Sequence, residues 1–157
     1  MSDLRDREAQ LVAAARQACD HAYAPYSGFK VGAAIRLTGG DIVTGANFEN
    51  ASYGLSLCAE TVAIASANAA GNLANIEAIA VVGGPSDRGA RANTQALTPC
   101  GRCRQILAEA ATVAGRDIRV YCADMSGNQQ ASYTVSELLP HAFSPASLVA
   151  GPEAERE

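Results

Sequence analysis

The chain is predicted to fold as an α/β protein with three layers, α/β/α. Three observations carry that expectation. Segments with helical periodicity alternate with short apolar runs bounded by Gly and Pro, and those runs number about five. The two helices in the middle of the chain each open at a cysteine. At 157 residues the chain, 1–157, has the length of one domain and can bury most of its unfolded surface in one core.

Taken in order, Leu4, Leu11, Val12, Ala15, Ala18, Cys19 and Ala22 recur at helical spacing, with charged residues elsewhere around the turn, and predict an amphipathic helix ending before Pro25. Residues 31–37 and 42–46, separated by Thr38-Gly39-Gly40-Asp41, predict a β-hairpin. A loop over 47–57 leads to a helix over 58–70, closed by Gly71. Its residues are small or apolar nearly all round, so it is expected to be buried against the sheet. Residues 76–82, bounded by Gly83-Gly84-Pro85, have the composition of a buried strand. Residues 86–97 predict a long, mobile surface loop. The second cysteine helix runs to about 114 and stops at Gly115; strands follow over 118–123 and 131–135, and a short helix over 135–139. Residues 148–157 carry Gly151-Pro152 and four charges among the last five positions, and are expected to fray.

Bulk properties exclude several classes of function. A net charge of −4 argues against binding a nucleic-acid backbone, because Lys30 is the only lysine among twelve basic residues and no basic stripe is present. No apolar run is long enough to span a membrane, and residues 1–10 carry charges of both signs, so neither a membrane partner nor a signal peptide is expected. Five cysteines, an odd number without a secretion signal, fit reduced thiols and a cytoplasmic location.

The chemistry concentrates in Cys58-Ala59-Glu60 and Thr98-Pro99-Cys100-Gly101-Arg102-Cys103-Arg104-Gln105. Pro99 favours an extended Thr98, so the cysteines fall just after a turn. Cys100 and Cys103, three apart in a first helical turn, face one side and can share a metal. Cys58 opens the other helix, which brings all three thiolates to positive helix ends at a zinc site. Three protein ligands, where structural zinc takes four, leave one position for water. Glu60, two residues from a ligand, is then placed to exchange protons with that water; a ligand-x-Glu segment followed by Pro-Cys-x-x-Cys is the signature of zinc nucleobase deaminases. Of the remaining cysteines, Cys19 and Cys122 lie in apolar segments and read as small buried side chains. His21 and His141 have no partner at metal spacing.

The match extends to Tyr23-Ala24-Pro25-Tyr26-Ser27-Gly28-Phe29-Lys30-Val31-Gly32-Ala33-Ala34, to Asn47-Phe48-Glu49-Asn50-Ala51-Ser52-Tyr53 and to Glu137-Leu138-Leu139-Pro140-His141-Ala142-Phe143, all in order. Over roughly residues 10 to 145 the sequence resembles the small, homotetrameric cytidine deaminases. The resemblance implies a mixed sheet, one zinc per chain, Glu60 as proton shuttle, and a nucleoside substrate, cytidine or 2′-deoxycytidine, drawn from pyrimidine salvage. It further implies that Asn47 and Glu49 clamp the ribose 3′-hydroxyl, that Phe29 and Ala59 lie against the substrate, and that Phe143 stacks on the base from a neighbouring subunit. Ala51 and Tyr53 of a neighbour would lie near the 5′-hydroxyl.

One departure stands out. In the resembling family an arginine that bonds two of the thiolates often follows Cys-Ala-Glu; here the residue is Thr61, which carries no charge. Arg102 or Arg104 is expected to take over part of that role. The departure keeps open a deaminase acting on a modified cytidine or a cytosine-nucleoside antibiotic. A non-catalytic zinc-stabilised binding module, closed by Cys19 or Cys122 as a fourth ligand, is the alternative of another class.

Overall fold

The computed structural model describes residues 2–86 and 95–148. Most of the loop expected over 86–97 and nearly all of the tail expected to fray over 148–157 lie outside those residues. Helix α1 (Ser2–Ala18) passes through a 3-10 turn, Cys19–His21, into β1 (Phe29–Leu37) and β2 (Ile42–Ala46). Then come α2 (Ala59–Ala69), β3 (Ile76–Pro85), α3 (Gly101–Ala114), β4 (Arg119–Asp124), β5 (Gln130–Thr134) and the single-turn α4 (Val135–Leu138). The strands form one mixed sheet in the order β2-β1-β3-β4-β5. Only β3 and β4 are parallel, with α3 as their crossover; the other neighbours are antiparallel.

Side chains alternate across the strands, and each face of the sheet is covered by helix. Ile79 and Val81 of β3 face one way and pack with Ile35, Ala63, Leu107 and Val120 beneath α2 and α3. Ala78, Ala80 and Val82 face the other way, onto Leu11, Val12, Ala15 and Cys19 of the α1 segment. Leu4 is not buried in that layer: it is 69% exposed, at the edge where α1 meets the strands bearing Arg36, Glu77 and Tyr121. Burial of α2 is also one-sided, since Ala59, Glu60, Ala63, Ile64 and Ala67 are buried while Ala65, Ser66, Asn68 and Ala69 face outward. Small residues on both sides of α2 allowed burial all round, but the chain described here covers only its sheet side.

Two glycines set how closely the helices approach. A Cβ on Gly32 of β1 would lie 2.0 Å from the Ala15 carbonyl oxygen of α1, and one on Gly45 of β2 would lie 2.5 Å from the Ala63 nitrogen of α2. At these points helix backbone rests directly on strand backbone. Gly45→Ala is therefore expected to push α2 off the sheet, costing about 3 kcal/mol in denaturant unfolding.

Below α3, Asp117 accepts from the backbone nitrogen of Ser136 at 3.1 Å and from its hydroxyl at 2.6 Å, while a Thr134/Glu137 capping box starts α4. Burial alone would raise the Asp117 pKa, but the hydrogen bonds from Ser136, Thr134 and Val135 outweigh it and hold the carboxyl below its ordinary value. A depressed folded pKa adds stability above the unfolded value and loses it as pH falls through the folded one. Asp117→Asn should lower unfolding stability at pH 7, and the deficit should shrink below about pH 3.9, as chemical denaturation at a series of pH values would show.

Candidate metal centre

Both central helices begin at one point. Cys58 is the N-cap of α2 and Cys100 the N-cap of α3, each in extended backbone, and neither has a side-chain cap hydrogen bond. Their thiols turn towards each other instead, Sγ to Sγ 3.9 Å apart. Cys103, in the third position of α3, completes a group whose sulfur atoms all lie within 4.8 Å of one another. Tetrahedral metal–sulfur bonds of about 2.3 Å place two ligand sulfurs about 3.8 Å apart, so the Cys58–Cys100 pair already has the spacing of two ligands on one ion.

The donor set is graded in burial: Cys103 is buried, Cys58 half-buried and Cys100 exposed. Hydrogen bonding from Cys103 is the main reason that the Cys58 pKa falls to about 6, and the same contact, with burial and the nearby Glu60, pushes Cys103 up. The contact thus favours the anionic form at Cys58 over Cys103. Each helix also aims the free N–H groups of its first turn and its positive dipole end at the sulfurs.

No fourth ligand closes the group among the described residues. Cys19 lies in the opposite core layer, where its thiol donates to the Val82 carbonyl at 3.3 Å, and Cys122 is buried in β4 with its pKa raised to about 12, chiefly by burial. Glu60 stands beside the sulfurs, only 4% exposed, and burial raises its pKa above the ordinary carboxylate value. A donor set that keeps one position open, next to a buried carboxylate, suits hydrolytic chemistry better than a purely structural role.

A cleft of about 250 Å³ leads to this group, lined by Val31, Asn47, Glu49, Leu57, Cys58, Ala59, Glu60 and Cys100, among others. The structure thus brings six of the sequence-predicted site residues to one opening. Asn47 is held from both ends of its amide: Oδ1 accepts from the Val31 nitrogen at 2.8 Å, and Nδ2 donates to the Phe29 oxygen at 2.9 Å. Glu49 accepts from the backbone nitrogens of Tyr26 and Ser27 at 2.9 and 3.2 Å and from the Ser27 hydroxyl, and that hydroxyl bond is the main reason its pKa is lowered. The Ser27 clamp was not foreseen, although the Tyr-Ser-Gly turn that makes it was visible in the sequence.

Other predicted residues do not line the cleft. Phe29 is half-buried beside it. Tyr53 is 74% exposed, its ring 5.8 Å from that of Tyr26, and with Ser27, Glu49 and Ser56 it borders an adjoining hollow of about 320 Å³. Ala51 is exposed and lines neither cavity. Phe143 is 59% exposed, with its backbone oxygen fixed by Gln105 Nε2 at 2.8 Å.

The two arginines expected to offset thiolate charge separate. Arg104 spends its guanidinium elsewhere: Nε donates to the Pro99 oxygen at 2.8 Å, one terminal nitrogen to the Leu138 oxygen at 3.1 Å, and the other to the Thr98 hydroxyl at 3.4 Å. It braces the start of α3 and forms no hydrogen bond to a sulfur. Arg102, exposed and 3.5 Å from the Ser56 oxygen, acts on Cys58 only through its charge, as a minor contribution. What touches a ligand sulfur directly is Thr61, its Oγ1 3.9 Å from Cys103 Sγ.

Comparison with known proteins agrees with this geometry. The family model of the cytidine and deoxycytidylate deaminase zinc-binding region matches residues 5–116. A cytidine deaminase of Halalkalibacterium halodurans is 45% identical over 139 residues, 88% of this chain and 94% of that protein. One from Sporosarcina psychrophila is 38% identical over 86% of this chain and 90% of its own. Among solved structures, a cytidine deaminase from Burkholderia pseudomallei superposes with a TM-score of 0.75 at 40% identity, covering 86% of this chain and 98% of that one. Zinc is the metal that this donor set and this family share. The purified chain should bind one equivalent of zinc, released by chelators. Cys103→Ser should weaken that binding by more than the roughly hundredfold that even an outer-sphere partner can cost, measured by chelator competition.

Proposed function

Because the chain belongs to the cytidine and deoxycytidylate deaminase family, we propose that it is a zinc-dependent hydrolase that deaminates cytidine to uridine and ammonia, with Glu60 as proton carrier. The observation that carries this reading is the convergence of Cys58, Cys100 and the buried Cys103 with the buried Glu60, beside a cleft that Cys58, Cys100 and Glu60 line. Bound zinc supplies Lewis acidity, which brings the pKa of a water molecule to roughly 7.

The chain's own residues supply the rest. As carboxylate, Glu60 takes a proton from the attacking water and delivers it to N3 of the cytosine, so that oxygen adds at C4. It then carries the second proton to the amino group, and the C4–N bond breaks with loss of ammonia. Ala59, at the first position of α2, lies against the substrate. Glu49 has an acceptor site left on the oxygen that takes the Ser27 hydroxyl, and Asn47 has one amide N–H left, so together they can hold a sugar 3′-hydroxyl. Recognition there does not need the 2′-hydroxyl, which makes 2′-deoxycytidine a substrate as well.

Phe29, Phe143, Ala51 and Tyr53 complete the pocket once chains associate, Phe143 and the Ala51/Tyr53 pair coming from neighbours in a homotetramer. The exposure of Tyr53 and Phe143 in the single chain supports that arrangement. Five free cysteines, three of them needed as thiolates, support a reducing, cytoplasmic setting for nucleoside salvage.

Cytidine added to zinc-loaded protein should lose its ultraviolet absorbance and release ammonia, with 2′-deoxycytidine within about tenfold, the worth of one hydrogen bond. Glu60→Gln should retain its zinc and lose turnover by a factor on the order of 10² to 10⁴. Loss of zinc together with activity would place Glu60 in the metal's support instead. Glu49→Gln should raise KM more than it lowers kcat, and sedimentation should show four chains.

A further inference from the structure

The two helix starts meet with like positions paired. The N-cap thiols Cys58 and Cys100 face each other at 3.9 Å, and the third residues of the two helices, Thr61 and Cys103, face each other at 3.9 Å. A third-position side chain commonly turns back to cap its own helix. Thr61 does not: α2 has no side-chain cap, and its hydroxyl points across to α3. A threonine inside a helix also gives up some side-chain freedom, so its local propensity does not account for its presence.

Cys103 is the ligand with no exposure to water, at 0%. A cysteine ligates zinc as a thiolate, and this buried sulfur is then an acceptor with no water to satisfy it. A buried charge without donors is costly. Among the described residues Thr61 brings the only hydroxyl within hydrogen-bond distance of a ligand sulfur, and Arg104 is spent on Pro99, Thr98 and Leu138. Once Cys103 has no proton, the contact has a single polarity, Thr61 Oγ1–H donating to Cys103 Sγ.

We propose that Thr61 is a positioning residue of the zinc site: its hydroxyl donates to the buried Cys103 thiolate, withdraws electron density from that ligand, and balances by a hydrogen bond what a buried cation would balance by charge. The inference rests on the zinc reading above, and the test separates the two. Metal-free wild-type protein, Thr61→Val, Thr61→Ala and Thr61→Ser are titrated with zinc against a chromophoric chelator and with cobalt(II), whose thiolate-to-metal charge-transfer band reports the electron richness of the sulfurs.

Loss of the donor in Thr61→Val and Thr61→Ala should weaken zinc binding by roughly tenfold or more and move the cobalt band to lower energy. Thr61→Ser, which keeps the hydroxyl, should restore both. Val and Ala variants with wild-type zinc affinity and an unmoved band would overturn the proposal. So would a Ser variant as impaired as Val, because the role would then be packing by the methyl group. Failure of the wild-type protein to bind either metal would overturn the zinc reading itself, and this proposal with it.

Discussion

Three sulfur atoms come within 4.8 Å of one another only because two helices begin at the same place, and most of the fold follows from that requirement. A helix start is one of the few places where backbone donors are free, so it tolerates anionic ligands that a helix interior would not. Each start must also be held against the pull of its neighbour's charge. For α2 the hold is the contact at Gly45, where a Cβ would sit 2.6 Å from the Ala59 oxygen, one residue after the ligand Cys58. For α3 it is the buried Pro99 together with the Arg104 guanidinium, which ties the Pro99 and Thr98 segment to the end of α4. The parallel β3–β4 pair adds the crossover that carries α3 across the same face of the sheet as α2.

The electrostatic problem is one of excess negative charge. With a divalent ion bound, three thiolates and one carboxylate would more than neutralise it, and a carboxylate as buried as Glu60 is disfavoured in its charged form. The helix ends answer with partial positive charge that is permanent and cannot be displaced. Arg102 adds a whole charge, but at an exposed position where solvent screens it. The hydroxyl of Thr61 reaches the one sulfur that solvent cannot. The division of labour follows exposure: the sulfur nearest the opening is left to water and dipoles, and the buried one receives a fixed donor.

Much of this was legible in the sequence, for identifiable reasons. The elements could be read because their periods are clean: the Ile79/Val81 and Ala78/Ala80/Val82 alternation in β3 is that of a strand covered on both faces. The grouping of Cys58, Cys100 and Cys103 beside Glu60 could be read because three cysteines and a glutamate at those spacings have little other use. What sequence could not show was which way long side chains turn. Arg102 and Arg104 are two residues apart on α3, and sequence gives no reason to send one to the Ser56 oxygen and the other to the Pro99, Thr98 and Leu138 segment. The Tyr26–Ser27 clamp on Glu49 is likewise a contact between segments more than twenty residues apart. Leu4 fits the helical repeat but stays 69% exposed, which the pattern alone does not reveal.

The residues beside the cleft share a property that bears on how the site works. Asn47 pins the start of β1 through Phe29 and Val31, and Glu49 pins the turn that leads into it. Both side chains are therefore held in one arrangement, and little of their rotamer freedom remains. The same economy makes the two positions poor targets for truncation. Removing either side chain would release β1 and its turn, and a measured loss of activity would mix that release with any contact to a ligand. Near-isosteric replacements that keep the backbone bonds separate the contributions. The aromatic residues Tyr53 and Phe143 differ: Tyr53 has one ring contact, Phe143 is tied through its backbone oxygen, and in the single chain both leave most of their surface exposed.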